Sequence, residues 1–424
     1  MAIDRERYLI GALRQGSRTA VGRAALQRYL APMNPFDVRR SSDPYPFYRK
    51  LHERGPVVHH RALDMWLISG YDEASASLRA DVSCDRSDMA VRLYPYSRLQ
   101  PATNAVMLDN VLMQDAPRHT ELRRAMSTYF APAAIAHLAE LARSAVHQRL
   151  DELDGSNPVE VMSQVLRPVS SAVNARVLGV PSARTTELNR LAGVLARYGE
   201  PLAGFTPQLL DDGVCEVDDL YERYAVEEPA AGSLWAHVAA ADRSSGADGA
   251  LDLRGSFALQ LIAGHETMVG LMGNALVALA TDRSFRAQLA EGSTEERIDA
   301  VEELARFDSP IQVTDRTLLA DVELGGQRIE AGAVLLVLYG AANRDPAHFV
   351  EPDRLVTGRS EVRSLSFGAG IHRCLGVHLG VAVAAEVLSA FLARFPNYRI
   401  APDGVRWLPT FTLRGPAALT VELR

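Results

Sequence analysis

The chain has 424 residues, of which 47% are hydrophobic and 23% are charged, and its formal net charge is −7. This composition is typical of a globular protein that is long enough to bury a core around a large cofactor. The acidic balance gives no reason to expect a nucleic-acid partner, and no run of about 18 uncharged apolar residues predicts a membrane-spanning segment. The three cysteines, Cys84, Cys215 and Cys374, are too few and too far apart for a disulfide framework. We therefore expect a cytoplasmic protein.

The first 32 residues carry several arginines and lack the apolar core of a secretory signal. A helical or frayed extension is the simplest interpretation, and a targeting or membrane-surface role is the alternative. The compact domain is predicted to begin near residue 33, because Pro35, Pro44 and Pro46 are unfavourable in helix interiors.

The remaining patterns predict a mainly helical domain with a small β-rich part. Alternation over residues 56–69 indicates a strand pair, and residues 85–112 have the composition of a loop. Helical patterns fill residues 117–300, and residues 311–340 return to short β-rich runs separated by glycine-containing turns. Residues 374–396 are apolar at helical spacing, which indicates a buried helix.

The stretch "FGAGIHRCLG", residues 367–376, places Cys374 at the start of that apolar helix. A helix N-terminus favours negative charge, so a cysteine there is biased toward the thiolate, which is the form that binds metal. Gly368, Gly370 and Gly376 would permit tight turns and the approach of a flat cofactor, and Phe367 would shield the sulfur. The residues alone leave three roles open for the thiol: packed core residue, nucleophile or metal ligand.

The same stretch resembles the haem-binding signature of the cytochrome P450 family at all six characteristic positions: Phe, two Gly, His, Cys and Gly. The resemblance implies that Cys374 is the proximal iron ligand of haem b. It also implies the fold of that family, a single, triangular, mainly α domain with a small β-rich region. The resemblance covers residues 33–424 and leaves residues 1–32 outside it.

The segment "EELARFDSP" resembles the ExxR helix of the family, and "EPDRL" follows it in family order. Alone, an ExxR pattern usually marks a solvated helix face. In this order, the resemblance implies that Glu303 and Arg306 form a buried ion pair joined by Arg354, with a structural role.

Haem carries two propionates, which require several cations or hydrogen-bond donors. "DAPRHTELRRAM" resembles the family helix that contacts a propionate, and it supplies His119 and Arg123. Arg316 in "TDRTLL" and His372 match two further family positions for this task. Each residue taken singly could equally be a surface residue.

The segment "LIAGHETMVG", residues 261–270, resembles the family's distal helix. The resemblance implies that Ala263 and Gly264 leave space above the iron, and that Glu266 and Thr267 deliver protons during O–O cleavage. The structural alternative is a threonine that hydrogen-bonds to the carbonyl one turn back, beside an exposed glutamate.

Two departures from the family pattern occur near the cysteine. Ser364 stands where many bacterial members carry a histidine that contacts a propionate, so one such contact lacks its usual donor. Gly380 and Val381 stand where members often carry an Ala-Arg pair, which predicts altered packing under the haem.

The resemblance implies a bacterial-type monooxygenase that hydroxylates or epoxidises a moderately large apolar or aromatic compound. Specialised polyketide or peptide metabolism, including antibiotic biosynthesis, is the expected context. Electrons are expected from NAD(P)H through a ferredoxin and its reductase, and an arginine patch would dock the ferredoxin on a monomeric protein. This patch comprises Arg124, Arg359, Arg363 and Arg373.

Substrate contacts are expected from two apolar segments that could also simply pack the lid. Their candidate residues are Met89, Val91, Leu93, Tyr94, Leu202 and Phe205. Two other functions remain open: a member of this family that catalyses aromatic coupling or nitration, and a haem-free recruitment module of the same fold. Cys374 argues against the recruitment module, because such a protein is expected to lack the thiolate ligand.

Overall fold

The computed structural model describes residues 34–61, 63–79, 82–83, 99–153, 158–200, 206–245, 252–359 and 364–423. The predicted extension, residues 1–32, lies outside the described residues. So do the six candidate substrate residues, and Cys84 and Arg363.

Helices form most of the described chain. The α-helices in chain order are α1 (Tyr45–His52), α2 (Tyr71–Ser77), α3 (Pro101–Leu108), α4 (Arg118–Ser127), α5 (Pro132–Asp151), α6 (Arg167–Leu178), α7 (Thr185–Leu195), α8 (Pro207–Tyr221), α9 (Leu234–Ser245), α10 (Arg254–Ala263), α11 (Glu266–Leu279), α12 (Arg283–Glu291), α13 (Thr294–Phe307), α14 (Tyr339–Ala342) and α15 (Val377–Arg394). π-Helical turns precede α6 (Met162–Leu166) and follow α8 (Glu222–Glu227), and a 3₁₀ turn (Ala196–Gly199) extends α7.

The strands form three small sheets. They are β1 (Val57–His60), β2 (Met65–Ile68), β3 (Val82–Ser83), β4 (Val159–Glu160), β5 (Thr314–Leu318), β6 (Val322–Leu324), β7 (Gln327–Ile329), β8 (Val334–Val337), β9 (Arg399–Trp407) and β10 (Pro416–Glu422). The largest sheet has the order β1-β2-β8-β5-β3, in which only the β2–β8 pair is parallel. β4, β10 and β9 form an antiparallel sheet, and β6 and β7 form a hairpin.

Strand β8 shows why the largest sheet is stable. Its sequence "VLLV" is buried at every position, because apolar clusters cover both faces of the sheet. Val334 and Leu336 face the cluster that contains α1, whereas Leu335 and Val337 face the cluster that contains α2. The register Arg316↔Leu335 places the predicted propionate residue at the centre of this sheet.

Helix α15 is the central element of the main core. It packs against α5, α11, α12 and α13, and apolar residues occupy most of its circumference. Among the described helices it alone is long and apolar enough to cross a membrane, with a mean hydropathy of 1.5, but 61% of it is buried inside the protein. That burial is what a core helix requires.

The fold class predicted from the sequence is confirmed, and three details were wrong. α3 lies inside the segment predicted as a loop, because Pro101 occupies the first turn, where proline is tolerated. The sheet of β4, β9 and β10 was not predicted. Helix α15 begins at Val377, so Cys374 lies in the preceding loop.

Candidate active site

The cysteine loop is fixed by its own backbone. The Gly368 N–H donates to Leu365 O, and the Cys374 N–H donates to Phe367 O, each at 2.8 Å. Gly368 and Gly370 both have φ of +68°, a region that favours glycine. A Cβ on Gly370 would lie 2.2 Å from Leu78 O, so this position also requires the missing side chain.

Gly376 differs from these two glycines. Its φ is −90°, and an added Cβ would find no atom nearer than 3.9 Å. The predicted need for backbone freedom is therefore wrong at Gly376, because any residue adopts this conformation. The Gly376 backbone N–H instead hydrogen-bonds to the Cys374 sulfur.

Cys374 has accessible surface in the polypeptide, although many protein atoms surround its thiol. Burial raises the pKa of the thiol, whereas the Gly376 N–H, Arg123 and Arg373 act to lower it. The hydrogen bond and the two cations favour the thiolate, and metal coordination would complete the deprotonation.

The start of the loop is anchored to neighbouring helices. The Ser364 hydroxyl accepts a hydrogen bond from Ser366 N at 3.1 Å and so caps the first turn of the loop. The Ser366 hydroxyl donates to Ala305 O of α13 at 2.6 Å, and Asn343 Oδ1 accepts from Leu365 N at 2.7 Å. Ser364 thus serves the loop backbone, at a position where many family members carry a histidine.

The four residues predicted to bind propionates, His119, Arg123, Arg316 and His372, lie together beside this loop. The rings of His119 and His372 are 4.2 Å apart, and Arg123 Nη2 donates to Arg373 O at 2.9 Å. Burial, His119 and Arg316 lower the pKa of His372 to about 4. The four side chains thus concentrate positive charge and N–H donors in one place.

Several polar atoms of this group have no partner among the described residues, although they are buried. They are His119 Nε2, both ring nitrogens of His372, and Arg316 Nε. Buried polar groups are normally hydrogen-bonded, so this donor set fits an anionic group that the polypeptide does not itself supply. The two propionates of haem fit this requirement.

The predicted distal helix is divided into α10 and α11 by a break at Gly264 and His265. Ala263 is exposed and Thr267 is partly exposed, whereas the following residues, 268–270, are buried. The break therefore has accessible surface directly before the buried residues of α11. The Thr267 hydroxyl donates to Ala263 O at 2.7 Å, as in the structural alternative for this residue.

Glu266 is not the exposed glutamate of that alternative, because its side chain is only 9% exposed. Its Oε1 lies 3.7 Å from Arg167 Nη1 and 3.8 Å from His265 Nε2. Burial raises the pKa of the Glu266 carboxyl, and Arg167 acts to lower it.

Gly264 does not leave space above the cavity in the way the sequence suggested. An added Cβ would lie 2.4 Å from Asn174 Oδ1 and 2.5 Å from Gln260 Nε2. Asn174 belongs to α6, so the missing side chain allows α6 to approach the break, and this prediction is corrected.

The sequence did not identify the polar residues that surround the break. His265 is 1% exposed, and neither ring nitrogen has a partner among the described residues. Burial lowers its pKa to about 3. On α6, Arg167, Ser170 and Asn174 form a stripe toward the break: Ser170 Oγ donates to His265 O and Asn174 Nδ2 to Leu261 O. Polar residues at this helical spacing in an apolar helix were the available signal.

Glu303 and Arg306 form a bidentate ion pair with distances of 2.7 and 2.9 Å, and both side chains are buried. Arg354 is not the third side chain, because its guanidinium is 70% exposed and pairs with Glu351. Its carbonyl accepts from Arg306 instead. The third side chain is Arg359, whose Nε lies 3.1 Å from Glu303 Oε1. Arg359 is therefore unavailable to the predicted docking patch.

The departure from the family pattern at Gly380 and Val381 of α15 has modest consequences. An added Cβ on Gly380 would meet no atom within 4 Å, and Val381 is buried in the main core. Packing under the cysteine loop is thus apolar at Val381, and it is open at Gly380.

Comparisons with known proteins agree with this geometry. A family model described as Cytochrome P450 matches residues 298–404. The chain is 31% identical over 390 residues to the 6-deoxyerythronolide B hydroxylase of Saccharopolyspora erythraea, covering 90% of this chain and 96% of that protein. It is 27% identical to the polyketide biosynthesis cytochrome P450 PksS of Bacillus subtilis, covering 92% and 93%.

Solved structures give the same result. CalO2 matches with a TM-score of 0.79 and 28% identity, covering 91% of this chain and 97% of that one. P450BioI, in complex with an acyl carrier protein ligated to hexadec-9Z-enoic acid, matches with a TM-score of 0.79 and 27% identity, covering 92% and 100%. Together with the cysteine loop and the distal break, these similarities establish that the chain belongs to the cytochrome P450 family and is a monooxygenase.

Proposed function

We propose that Cys374 holds haem b and that the protein inserts one oxygen atom of O2 into a moderately large apolar or aromatic small molecule. When bound, haem supplies the reductive cleavage of O2 and the transfer of the oxygen atom. The observation that carries the proposal is the group of buried, unpartnered donors beside an enclosed thiol. Residues 33–424 would form this haem-thiolate domain, with residues 1–32 as an extension.

On the proximal side, the chain would tune the sulfur through two kinds of contact. The Gly376 N–H withdraws electron density from the thiolate through a hydrogen bond, and Arg123 and Arg373 stabilise its charge. His119, His372, Arg123 and Arg316 would bind the propionates, which would satisfy the buried nitrogens. Phe367, Gly368 and Gly370 would shape the loop beneath the ring.

On the distal side, Glu266 and Thr267 would move protons. Burial raises the pKa of the Glu266 carboxyl, which favours proton uptake by a group that must both accept and release a proton. Thr267 Oγ1 donates to Ala263 O, so its hydroxyl must rotate away from that carbonyl to donate into the cavity. Ala263, which has only a methyl group, would leave space above the iron.

The substrate class is proposed from the relatives. One is named a 6-deoxyerythronolide B hydroxylase and another acts in polyketide biosynthesis, so a polyketide-like specialised metabolite is the preferred substrate. The haem-free recruitment module is disfavoured by the enclosed Cys374 and its donors. Aromatic coupling and nitration would use the same residues at the iron.

Electrons would arrive from NAD(P)H through a ferredoxin and its reductase, on the proximal face. The docking patch would comprise Arg373 and Arg124 beside Ile371, whose side chain is 59% exposed. Cations near an exposed apolar side chain suit an acidic partner.

The test combines the purified protein with ferredoxin, reductase, NADPH and a panel of polyketide macrolactones under isotopically labelled O2. We expect a product that contains one labelled oxygen atom. Consumption of a substrate without oxygen incorporation would contradict monooxygenation and favour coupling. In the same assay, Glu266→Gln should lower product formation by roughly 100-fold if it transfers protons, whereas Glu295→Gln, on the surface of α13, should have no effect.

A further inference from the structure

Glu200 is a buried carboxylate that lies directly after the 3₁₀ turn at the end of α7. Its side chain accepts hydrogen bonds from the backbone N–H groups of Phe411 at 3.0 Å, Thr412 at 2.7 Å and Leu413 at 2.9 Å. Thr412 Oγ1 donates in return to Gly199 O at 3.1 Å. We call residues 411–413 the C-terminal turn, since they lie between β9 and β10.

These contacts are made at a cost in stability. Glu200 is 2% exposed, and no described cationic side chain forms an ion pair with it. Burial raises the pKa of its carboxyl to about 7, even though the three N–H donors act to lower it. A buried charge without a counter-ion is unfavourable, and proteins that retain such groups often do so at functional sites.

The C-terminal turn lies between two walls of the candidate active site. Gln312 N donates to Thr412 O, and Arg414 N to Pro310 O, each at 2.8 Å, so the turn is fixed to the segment that leads into β5 and Arg316. On its other side, Asn274 Nδ2 of α11 donates to Arg414 O at 3.1 Å.

The turn also approaches α11 near the distal break. A Cβ on Gly270 would lie 3.0 Å from Arg414 O, and Gly270 is one helical turn beyond Thr267. Helix α7, which carries Glu200 at its end, packs against α10. A Cβ added to Gly193 of α7 would lie 3.9 Å from Glu266 Oε1. Glu200 therefore links the end of α7, which packs against α10, to the C-terminal turn, which lies beside α11.

We infer that Glu200 is a positioning residue for bulky ligands: its carboxylate holds the C-terminal turn against the end of α7 and thereby fixes one wall of the distal cavity. The inference rests on the proposed haem site. It assigns no contact between Glu200 and substrate, because the carboxylate is directed at backbone amides.

Glu160 offers a matched control in the same sheet. Its carboxylate also accepts from three backbone N–H groups, those of Met162 at 3.2 Å, Ser163 at 2.7 Å and Leu419 at 2.8 Å. It lies on β4, beside the end of β10 that is remote from the C-terminal turn. Glu160→Gln therefore repeats the chemical change without touching α7.

The experiment titrates haem-loaded wild type, Glu200→Gln and Glu160→Gln with imidazole and with the bulky azole econazole, using the Soret shift. We expect Glu200→Gln to weaken econazole binding by about tenfold, because the turn loses charge-assisted hydrogen bonds. Imidazole is too small to contact the displaced wall, so its affinity should change less than about twofold. Glu160→Gln should leave both affinities unchanged. Thr412→Val, which removes the side-chain hydrogen bonds of Thr412 to Gly199 O and to Glu200 but keeps the backbone N–H, should weaken econazole binding by about threefold.

Unchanged econazole affinity in Glu200→Gln would overturn the inference, and so would an equal loss of imidazole and econazole affinity. A second readout does not depend on haem: amide hydrogen exchange of residues 409–415 should accelerate in Glu200→Gln and stay unchanged in Glu160→Gln. If wild type shows no Soret shift with imidazole, the haem site itself fails, and accelerated exchange of the turn would still identify the role of Glu200 in holding it.

Discussion

The two sides of the candidate active site are held by different kinds of contact. On the Cys374 side, backbone hydrogen bonds and two glycines with positive φ fix the loop. On the distal side, a stripe of polar side chains on α6 contacts the break between α10 and α11. The comparison teaches that a backbone-defined loop tolerates few residue types and so leaves a recognisable sequence pattern. A wall formed by contacts between helices leaves no such sequence pattern, because its residues come from separate helices and meet only in the folded protein.

The largest effect is expected at the buried ion pair that supports the cysteine side. Glu303→Gln should lower the free energy of unfolding by about 3–5 kcal/mol, because it leaves buried guanidinium charge without its counter-ion. Arg354→Ala should cost less than about 1 kcal/mol, because that side chain is exposed. Urea unfolding measures both values. A large loss in Arg354→Ala would contradict the replacement of Arg354 by Arg359 in the ion-pair cluster.

The second prediction compares two glycines of the cysteine loop. Gly370→Ala should destabilise the protein by on the order of 3 kcal/mol and reduce its haem content, because the new Cβ overlaps Leu78 O at a positive φ. Gly376→Ala should cost less than about 1 kcal/mol, because its φ is ordinary and its surroundings are open. Similar losses in the two variants, measured by thermal unfolding, would show that the backbone does not distinguish these positions.

The third prediction concerns the distal break. Gly264→Ala should destabilise the protein by about 1–3 kcal/mol through overlap with Asn174 and Gln260. The double variant Gly264→Ala/Asn174→Ala should recover part of this loss, since removing the Asn174 amide opens space for the methyl group. If the two changes are simply additive in urea unfolding, Gly264 does not accommodate α6.

The fourth prediction uses the pH dependence of stability to distinguish the Cys374 side of the site from the distal side. Burial lowers the pKa of His372 to about 4 and that of His265 to about 3, below the unfolded value of 6.5. The unfolded chain therefore binds protons that the folded chain does not, and stability must fall as pH drops below about 6.5. In the haem-free protein, His372→Gln and His265→Gln should each remove part of this acid sensitivity.

Haem binding should change the effect of His372→Gln on the acid sensitivity of stability, and it should leave the effect of His265→Gln unchanged. Propionates beside His372 would raise its pKa and reduce its share of the acid sensitivity, whereas His265 lies on the distal side. The pH dependence of urea unfolding, with and without haem, measures the difference. Equal behaviour of the two variants in the holoprotein would place the propionates away from His372.

The smallest effect is expected at the exposed proximal cation Arg124. Arg124→Glu should slow reduction by ferredoxin several-fold at low salt, because long-range attraction steers the partner, and the difference should disappear at high salt. Arg359→Glu and Arg373→Glu are not suitable comparisons, because Arg359 pairs with Glu303 and Arg373 acts on the Cys374 thiol. Stopped-flow reduction measures the rate, and a rate independent of both charge and salt would remove Arg124 from the docking patch.

The sequence predicted the fold class and the motifs with fixed spacing, because each motif is a local constraint. It misassigned Arg354, since the chain brings Arg359 back to Glu303 over 56 positions. It also missed His265, Arg167 and Glu200, whose partners lie on other helices or in the C-terminal turn. Gly264 was expected to leave space above the iron, and the sequence did not show its packing against Asn174, because that contact spans two helices.

We propose that Cys374 ligates the haem iron as a thiolate, and the absorption spectrum of the reduced, CO-bound protein tests this ligation directly. We expect the red-shifted Soret band that thiolate ligation produces. We also expect loss of that shift in Cys374→His, with CO still bound, and its retention in Cys215→Ser. A wild-type Soret band at the position of histidine-ligated haem proteins, or a red shift that survives in Cys374→His, would contradict the claim.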